Sequence, residues 1–366
     1  MTLHFYFGRK FFRTFMSVLL IFFAVLTLTS LIEQIRKFGS NDEASFGQLL
    51  GLAVLNVPED LYRILPLIMM IATLALFLGL ARSSELVVTR ASGRSALRSL
   101  IAPVILAVLI GMVAVAAVNP IVAATQKQYE AEATRLSGAS STLSVSADGL
   151  WLRQGTPEGQ TVIRATRSNL DGTELFGVTF LGYDGAGLPT YRIEAESARL
   201  EVGAWSIRDA KEWRFDTEAL IPEVDSFETA QMSLASNLTR NQILDSFGTP
   251  SAIPIWELPK FINQLEAAGF SARSHRTFYH MELALPLLLA AMVLVGAGFT
   301  MRHTRMGRTG LMVMMALGLG FLLYFIRNFA AILGENGQIP ILMAAWFPPL
   351  AALLLPLGLL LHLEDG

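Results

Sequence analysis

The chain has 366 residues, of which 53 % are hydrophobic and only 16 % are charged, whereas an ordinary soluble domain has about 25 % charged residues. The net charge of −2 lacks the basic excess that is typical of nucleic-acid-binding proteins. Zero cysteines exclude disulfide bonds, cysteine-ligated metal centres and thiol nucleophiles. These numbers indicate a membrane protein rather than a soluble cytosolic enzyme.

Six long runs without a charged residue predict six transmembrane helices. The shortest runs have 18 residues, which is about 27 Å of helix and close to a hydrocarbon core of about 30 Å. The predicted fold class is therefore an α-helical polytopic membrane protein. The runs are Thr14–Ile32, Ile64–Ala81, Ser99–Gln126, Leu283–Met301, Thr309–Ile326 and Asn336–Leu363.

Lysine and arginine residues predict the orientation of these spans. The positive-inside rule places the short loops that are rich in these residues in the cytoplasm. We therefore expect both termini to be cytoplasmic and the long segment after span three to lie on the opposite side of the membrane. The ten cations on the predicted cytoplasmic side are Arg9, Lys10, Arg13, Arg82, Arg90, Arg94, Arg98, Arg302, Arg305 and Arg308.

The segment between spans three and four has the composition of a soluble domain. Residues 123–275 carry a net charge of −7, whereas the remainder carries +5. Segments such as Thr161–Ala165, Leu175–Tyr183 and Tyr191–Ala195 have the pattern of short strands separated by Asp-Gly turns. They predict an all-β domain, an open β-sandwich or jelly roll, whose edge strand is suited to accept another sheet.

The predicted organisation has four parts. Residues 1–122 form spans one to three with a cytoplasmic helix at about 84–98, residues 123–249 form the β-domain, and residues 276–366 form spans four to six. Between them, residues 250–275 hold a linker and a short amphipathic helix, because Leu258, Phe261, Ile262 and Leu265 recur at helical spacing. We expect that helix to lie at the outer membrane surface.

The sequence offers no convincing catalytic or metal site. It contains no Walker A, HExxH or GxSxG motif, and only His275 and His280 among the five histidines are close in sequence. Ionisable residues deep in the spans, which proton-coupled transport needs, are few. We therefore expect no metal, no cofactor and no enzymatic activity, with the energy for any transport supplied by a partner.

The cytoplasmic segment Ser84–Gly93 (SELVVTRASG) resembles the S-E-L-x-V-x-x-A-x-G signature of the lipopolysaccharide export permeases, the YjgP/YjgQ or LptF/LptG family. Two further segments are similar to that family: Val57-Pro58 through Leu65-Pro66 before span two, and Gly149-Leu150-Trp151 at the start of the β-domain. Six spans with the insert after the third also match. The Gly-Leu-Trp opening and the amphipathic stretch favour the LptG branch of the family.

The resemblance implies a function and a set of partners. The chain would be a permease subunit that pairs with an LptF-type permease and binds an LptB-type ATPase dimer. The complex would extract lipopolysaccharide from the outer leaflet of the bacterial inner membrane. It would pass the lipid to a periplasmic β-jelly-roll bridge continued by LptC and LptA. The jelly roll of this chain would extend from Ser137 to about Ser236.

The resemblance also implies where the ATPase docks. In the family the loop between spans two and three forms the coupling helix, and its acid, here Glu85, would pair with an ATPase arginine. A solvated cytoplasmic loop is the alternative interpretation. The expected coupling residues are Glu85, Leu86, Val87, Ala91, Ser92 and Gly93.

Lipopolysaccharide has several acyl chains and a phosphorylated head, so its receptor needs an apolar surface with cations at the headgroup level. We expect Phe22, Phe23 and Leu26 to contact acyl chains, and Arg36, Lys37, Arg63, Lys127 and Arg327 to contact phosphate. Simple anchoring of Arg36 and Lys37 at the membrane surface is the alternative.

Three positions depart from the family pattern. Ser30, Glu130 and Glu282 stand where the family has basic residues, which indicates either a different lipid head or relocation of the charge to Arg36, Lys37 and Lys127. Two other functions also remain compatible with the sequence. One is a membrane-anchored scaffold or sensor whose β-domain docks envelope proteins, and the other is an ABC permease for another lipid.

Overall fold

A computed structural model describes residues 2–38, 45–91, 96–137, 143–146, 149–156, 159–169, 172–215, 226–236, 238–239, 243, 249–267, 270–300 and 309–365. The chain forms two compact units. The membrane unit contains Met1–Ser137, Ser251–Trp256 and Arg273–Gly366, and the β unit contains Gly138–Pro250 and Glu257–Ala272.

The membrane unit is helical. Five of its helical segments are long and apolar enough to cross a membrane, and a bent pair of helices supplies a sixth. Six spans are the number that the charge-free runs predict. The helices are α1 (Thr2–Phe38), α2 (Phe46–Arg63), α3 (Leu65–Arg82), α4 (Glu85–Ala91), α5 (Ala96–Val113), a π-helix (Ala114–Val118), α6 (Asn119–Ser137), α8 (Arg273–Leu283), α9 (Leu285–Thr300), α10 (Thr309–Glu335) and α11 (Ile341–Asp365).

The bent pair consists of α8 and α9, whose axes differ by 51°. Pro286 is the second residue of α9, where a residue without a backbone N–H is tolerated. Proline in the middle of a helix removes a backbone hydrogen bond, and most sharp kinks have such a cause. The fourth span is therefore a broken helix, whereas the sequence predicts a single one that begins at Leu283.

Helix α9 forms the centre of the membrane unit and is buried along almost its whole length. It crosses neighbouring helices at glycines. A Cβ atom on Gly111 of α5 would lie 2.5 Å from Cα of Pro286, and one on Gly296 would lie 3.1 Å from the carbonyl oxygen of Met70. Because these neighbours are backbone atoms, only glycine allows the helices to approach so closely.

Local signals define two of the helix ends. Ser45 and Gln48 form a capping box at the start of α2, so two otherwise free backbone N–H groups are satisfied. Ser84, between α3 and α4, has a φ of 59°, a left-handed conformation that few residues other than glycine adopt. This turn ends the second span and separates it from the short cytoplasmic helix that the sequence predicts.

The β unit confirms the predicted all-β insert. Its seven strands form one antiparallel sheet in the order β1 to β7, each paired with its sequence neighbours. One face is apolar and buried, and Trp205 at 0 % exposure packs edge-on against Phe180. The strands are β1 (Leu143–Ser146), β2 (Gly149–Thr156), β3 (Gly159–Ser168), β4 (Glu174–Asp184), β5 (Pro189–Glu201), β6 (Ala204–Arg214) and β7 (Ser226–Ala235).

The sheet curls so that its second and last strands meet. The buried Gln154 of β2 donates a hydrogen bond to the carbonyl of Ala235 at 3.2 Å and accepts one from Ser236 Oγ at 2.7 Å. The predicted amphipathic helix is α7 (Leu258–Ala267). Its apolar face is buried and contacts β1, so this helix contributes to the β unit.

Candidate functional site

The predicted coupling acid, Glu85, is the first residue of α4 and is held by side chains of its own chain. Lys10 Nζ donates to both carboxylate oxygens, at 2.8 and 3.0 Å. Tyr6 Oη donates to Oε2 at 2.9 Å, and Ser83 Oγ donates to Oε1 at 2.8 Å. The carboxylate therefore joins the start of α4 to the first turns of α1.

These donors favour the charged form of Glu85. The hydrogen bond from Lys10, with those from Ser83 and Tyr6, lowers the pKa of the Glu85 carboxyl below its ordinary value. Leu86 is buried, whereas Val88 is exposed. Val87 and Ala91 belong to α4, and the predicted coupling residues Ser92 and Gly93 lie outside the described residues.

Three of the predicted phosphate-binding cations lie near one end of the membrane unit. Arg36 and Lys37 are exposed in the last turn of α1. The next residue, Phe38, is buried in a small cluster with Leu49 and Leu52 of α2, and Tyr129 and Leu136 of α6 pack against it. Lys127 is exposed two residues before Tyr129. The tertiary structure thus brings the ends of α1 and α6 together, and we call Arg36, Lys37 and Lys127 the α1–α6 cations.

The other two predicted cations have acidic neighbours. Arg63, at the end of α2, forms an ion pair with Glu59 at 3.3 Å. Arg327, in the middle of α10, is half-buried and is attracted electrostatically by Glu282. Acidic side chains of the same chain therefore partly neutralise Arg63 and Arg327, whereas no ion pair among the described residues involves the α1–α6 cations.

Glu282 is the centre of a buried polar cluster that the sequence does not predict. Its side chain is 3 % exposed, accepts a hydrogen bond from Tyr62 Oη, and accepts a second from Asn119 Nδ2 at 3.4 Å. We call Tyr62, Asn119 and Glu282 the Glu282 cluster. It joins α2, α6 and α8, and with Arg327 it extends to α10.

A short segment before α7 binds to the same region. The backbone N–H of Ile255 donates to Asn119 Oδ1 at 2.9 Å, and the indole of Trp256 donates to the carbonyl of Ala116 at 3.1 Å. Ala116 lies in the π-helix, a wider turn that is frequent at functional sites in membrane and soluble helices. Side chains from a distant part of the sequence thus stabilise this irregular turn.

The expected acyl-chain residues lie in different environments. Phe22 is partly buried and packs against the main apolar core. Phe23 is 40 % exposed and lines an apolar groove, and Leu26 is half-buried. Neighbouring residues on α1 therefore contact different surroundings. Among the described residues, no group of three or more histidine or acidic side chains is placed to hold a metal ion.

Comparison with known proteins identifies the family. The family model for the lipopolysaccharide export system permease LptF/LptG matches residues 5–362. The chain belongs to this family. It is 24 % identical, over 98 % of its own length and 97 % of the relative, to the lipopolysaccharide export system permease protein LptG of Escherichia coli K12, and equally similar to LptG of Escherichia coli O6:H1.

Membership makes the three departures from the family pattern informative. In this LptF/LptG-type permease Ser30 is buried and its hydroxyl donates to the carbonyl of Ala53 at 3.5 Å. Glu130 accepts from Gln126 Nε2 at 3.4 Å, and Glu282 is the centre of its cluster. Ser30 and Glu282 contact neighbouring helices of the same chain, whereas Gln126 lies on the same helix as Glu130. The sequence does not predict the contacts of Ser30 and Glu282, because their partners are distant in sequence.

Proposed function

We propose that this chain is the permease subunit of an ABC-type exporter that extracts lipopolysaccharide from the outer leaflet of the bacterial inner membrane. Energy would come from an LptB-type ATPase dimer, and the other half of the permease would be an LptF-type subunit. The observation that carries the proposal is the family match, because it covers both the membrane unit and the β unit.

The substrate-binding part of the proposal assigns the lipid phosphates to cations that the protein leaves exposed. Arg36 and Lys37 are the first choice, followed by Lys127, because no ion pair among the described residues neutralises them. Arg63 and Arg327 would be weaker contacts, since Glu59 and Glu282 attract them. Phe22, Phe23 and Leu26 would contact acyl chains on α1.

The ATPase would act through α4. A helix that follows the second span after a left-handed Ser84 and is attached to α1 through Glu85 is suited to transmit a rigid-body movement. We propose that Glu85 pairs with an ATPase arginine while Lys10 and Tyr6 hold its other lone pairs. A carboxylate can accept about four hydrogen bonds, and Lys10, Tyr6 and Ser83 already supply four, so the arginine would replace one or more of them.

The β unit would deliver the lipid to a periplasmic bridge of LptC and LptA type. Among the described strands, β7 pairs only with β6, and its side chains are mostly exposed. The outer edge of such a strand can offer backbone donors and acceptors to a strand of a second sheet. This geometry supports continuation of the sheet into a partner.

Reconstitution tests the proposal. The chain is placed in vesicles that contain lipopolysaccharide, with and without its permease and ATPase partners, and ATP-dependent transfer of lipopolysaccharide to a soluble bridge protein is measured. We expect transfer only with the complete set of proteins. Transfer of another lipid instead would identify a different substrate, and an isolated chain that neither binds an ATPase nor transfers lipid would support a scaffold or sensor.

The cations are tested in the same assay. Arg36→Gln with Lys37→Gln is expected to reduce lipopolysaccharide transfer several-fold, because two phosphate ligands are lost. The matched control is Arg153→Gln, an exposed arginine of the β unit. Equal transfer by both variants would show that Arg36 and Lys37 serve only as membrane anchors.

A further inference from the structure

An apolar groove on the surface of the membrane unit shares only Phe23 with the proposed substrate contacts. It has a volume of about 420 Å³ and lies between α1 on one side and α5 with the π-helix on the other, and the junction of α2 and α3 also lines it. Tyr62 is the one lining residue with a hydroxyl group, and that hydroxyl donates to Glu282. The walls therefore present carbon and sulfur atoms to any occupant.

The groove is elongated along the helices. On α1 its lining extends from Phe12 to Phe23, and on the opposite wall from Leu109 to Val118. At the usual helical rise these stretches are about 16 Å and 13 Å long. Water has no hydrogen-bonding partner in such a space, and a long, thin, apolar molecule matches its shape.

The groove opens sideways between α1 and α5. Its floor residues Phe15 and Ala114 are 2 % and 3 % exposed, whereas the rim residues Phe12, Phe23 and Val113 are 44 %, 40 % and 57 % exposed. Both flanking helices belong to candidate membrane spans. In a bilayer the opening therefore faces a medium that consists of lipid acyl chains.

One end of the groove is marked by groups that are typical of the membrane surface. Val118 immediately precedes Asn119, and both Asn119 and Tyr62 donate hydrogen bonds to Glu282. Val118 and Tyr62 therefore lie at the same end of the groove. The exposed indole of Trp256 is hydrogen-bonded to Ala116 beside this end. Tryptophan is enriched at the level of lipid headgroups, so a bound lipid would place its head here and its chain along the groove.

We propose that the groove is a binding site for one acyl chain of a resident membrane phospholipid, which packs α1 against α5. A single channel between two helices suits one chain, whereas lipopolysaccharide has several. The site differs from the proposed substrate contacts, because its lining contains none of the α1–α6 cations and, of the three proposed acyl-chain residues, includes only Phe23. This inference does not depend on the proposed export function.

Photolabelling tests the site. The full chain is reconstituted in phosphatidylglycerol and phosphatidylethanolamine vesicles that contain a tracer phospholipid with a diazirine on its acyl chain, and labelled peptides are identified by mass spectrometry. We expect the label to concentrate on Phe12–Phe23 and Leu109–Val118. An even distribution over all exposed helices would overturn the proposal.

Two alanines of the π-helix provide a matched pair of variants. Ala114→Phe fills the floor of the groove, whereas Ala117→Phe adds the same ring at an exposed position outside the lining. The label in the groove is expected to fall several-fold in Ala114→Phe and to remain unchanged in Ala117→Phe. The smaller changes Ala114→Val and Ala114→Leu should give intermediate losses, so that a folding defect of the largest variant does not decide the result. Equal labelling of the two phenylalanine variants would contradict the proposal.

Two further arms identify the occupant. Added lipopolysaccharide is expected to leave the label in the groove unchanged, and displacement of the tracer would show that a substrate chain occupies it instead. Reconstitution with the LptF-type partner should also leave the label in place. Loss of the label in that complex would mean that a helix of the partner covers the groove, and the phospholipid site would be rejected.

Discussion

The membrane unit and the β unit differ in where they place polar and apolar side chains. In the β unit, the buried face of the sheet is apolar around Trp205, and its ion pairs, such as Arg199 with Glu174, lie on the surface. In the membrane unit the outer surface is apolar, as at Leu20 and Phe325, and a carboxylate, Glu282, lies inside. The difference follows from the solvent, because apolar side chains on the outside cost free energy in water but not in lipid.

Trp205→Ala is expected to have the largest effect, and it should be confined to the β unit. Removing a fully buried tryptophan costs about 3–5 kcal/mol. Limited proteolysis should therefore cleave the β unit of the variant, while the helical circular-dichroism signal of the membrane unit persists. Trp256→Ala, which removes an exposed tryptophan, is the control. Simultaneous loss of both units would show that they fold as one cooperative body.

Glu282→Lys is the matching change in the membrane unit, which it is expected to destabilise. The substitution places a second cation near Arg327 and removes the acceptor of Tyr62 and Asn119, and leaving a buried polar group without its partner costs about 1–3 kcal/mol. Thermal unfolding in detergent should occur at a lower temperature, and the double variant Glu282→Lys, Arg327→Glu should recover part of the loss. Glu33→Lys, at an exposed position of α1, controls for the change of charge. A double variant as unstable as Glu282→Lys alone would show that Arg327 is not the counter-ion.

Gly111→Ala tests the close crossing of α5 and α9. The added Cβ would lie 2.5 Å from a backbone atom of Pro286, so the helices must separate, at a cost of about 1–3 kcal/mol. Gly298→Ala adds the same methyl group on α9 where nothing lies within 4 Å. Unfolding temperature in detergent should fall for the first variant only. A similar fall for both would indicate that helix flexibility matters more than packing.

The contact of Lys10 with Glu85 should have the smallest effect on stability. Both side chains are about one-third exposed, and such pairs contribute about 0–1 kcal/mol. Lys10→Glu and Glu85→Arg are nevertheless expected to reduce ATP-driven lipopolysaccharide transfer, because α4 loses its attachment to α1. Arg9→Glu, a neighbouring exposed change, is the control.

The exchange variant Lys10→Glu, Glu85→Lys separates the two proposed partners of Glu85. Restored transfer would mean that the contact within the chain is what matters, whereas a double variant without transfer would favour pairing with an ATPase arginine. The pKa of Glu85 is lowered in the folded protein, so the stability that its charged form contributes is complete above the unfolded pKa of about 4.3. This contribution is lost only as the pH falls through the lower folded value. Transfer should therefore not titrate through this group near neutral pH.

Particular elements show how far the sequence alone leads. The charge-free runs correctly predict six spans, because helix length and hydropathy are local properties of the sequence. They end the fifth span at Ile326, whereas α10 continues to Glu335. Arg327 interrupts the charge-free run but not the helix, and Glu282 attracts its charge.

For the predicted sites, too, the sequence indicates the local element, and the tertiary structure decides the contacts between elements. The position of Glu85 in a short helix after the second span follows from its sequence motif, but its bond to Lys10 joins residues 75 positions apart. The approach of α6, which carries Lys127, to the end of α1 depends on the packing of Phe38 against α2 and α6. No periodic pattern encodes such contacts, since each requires two helices to meet in one register.

The amino-acid sequence by itself determined the number of spans, the all-β insert, the amphipathic helix and the family, because each depends on local hydropathy, strand alternation or a short motif. The tertiary structure alone decided that Glu282 is buried against Tyr62, that Trp256 binds the π-helix and that an apolar groove separates α1 from α5. Tyr62 and Glu282 are 220 positions apart. Contacts at that separation arise only when helices pack, and the free energy of packing depends on all of them together.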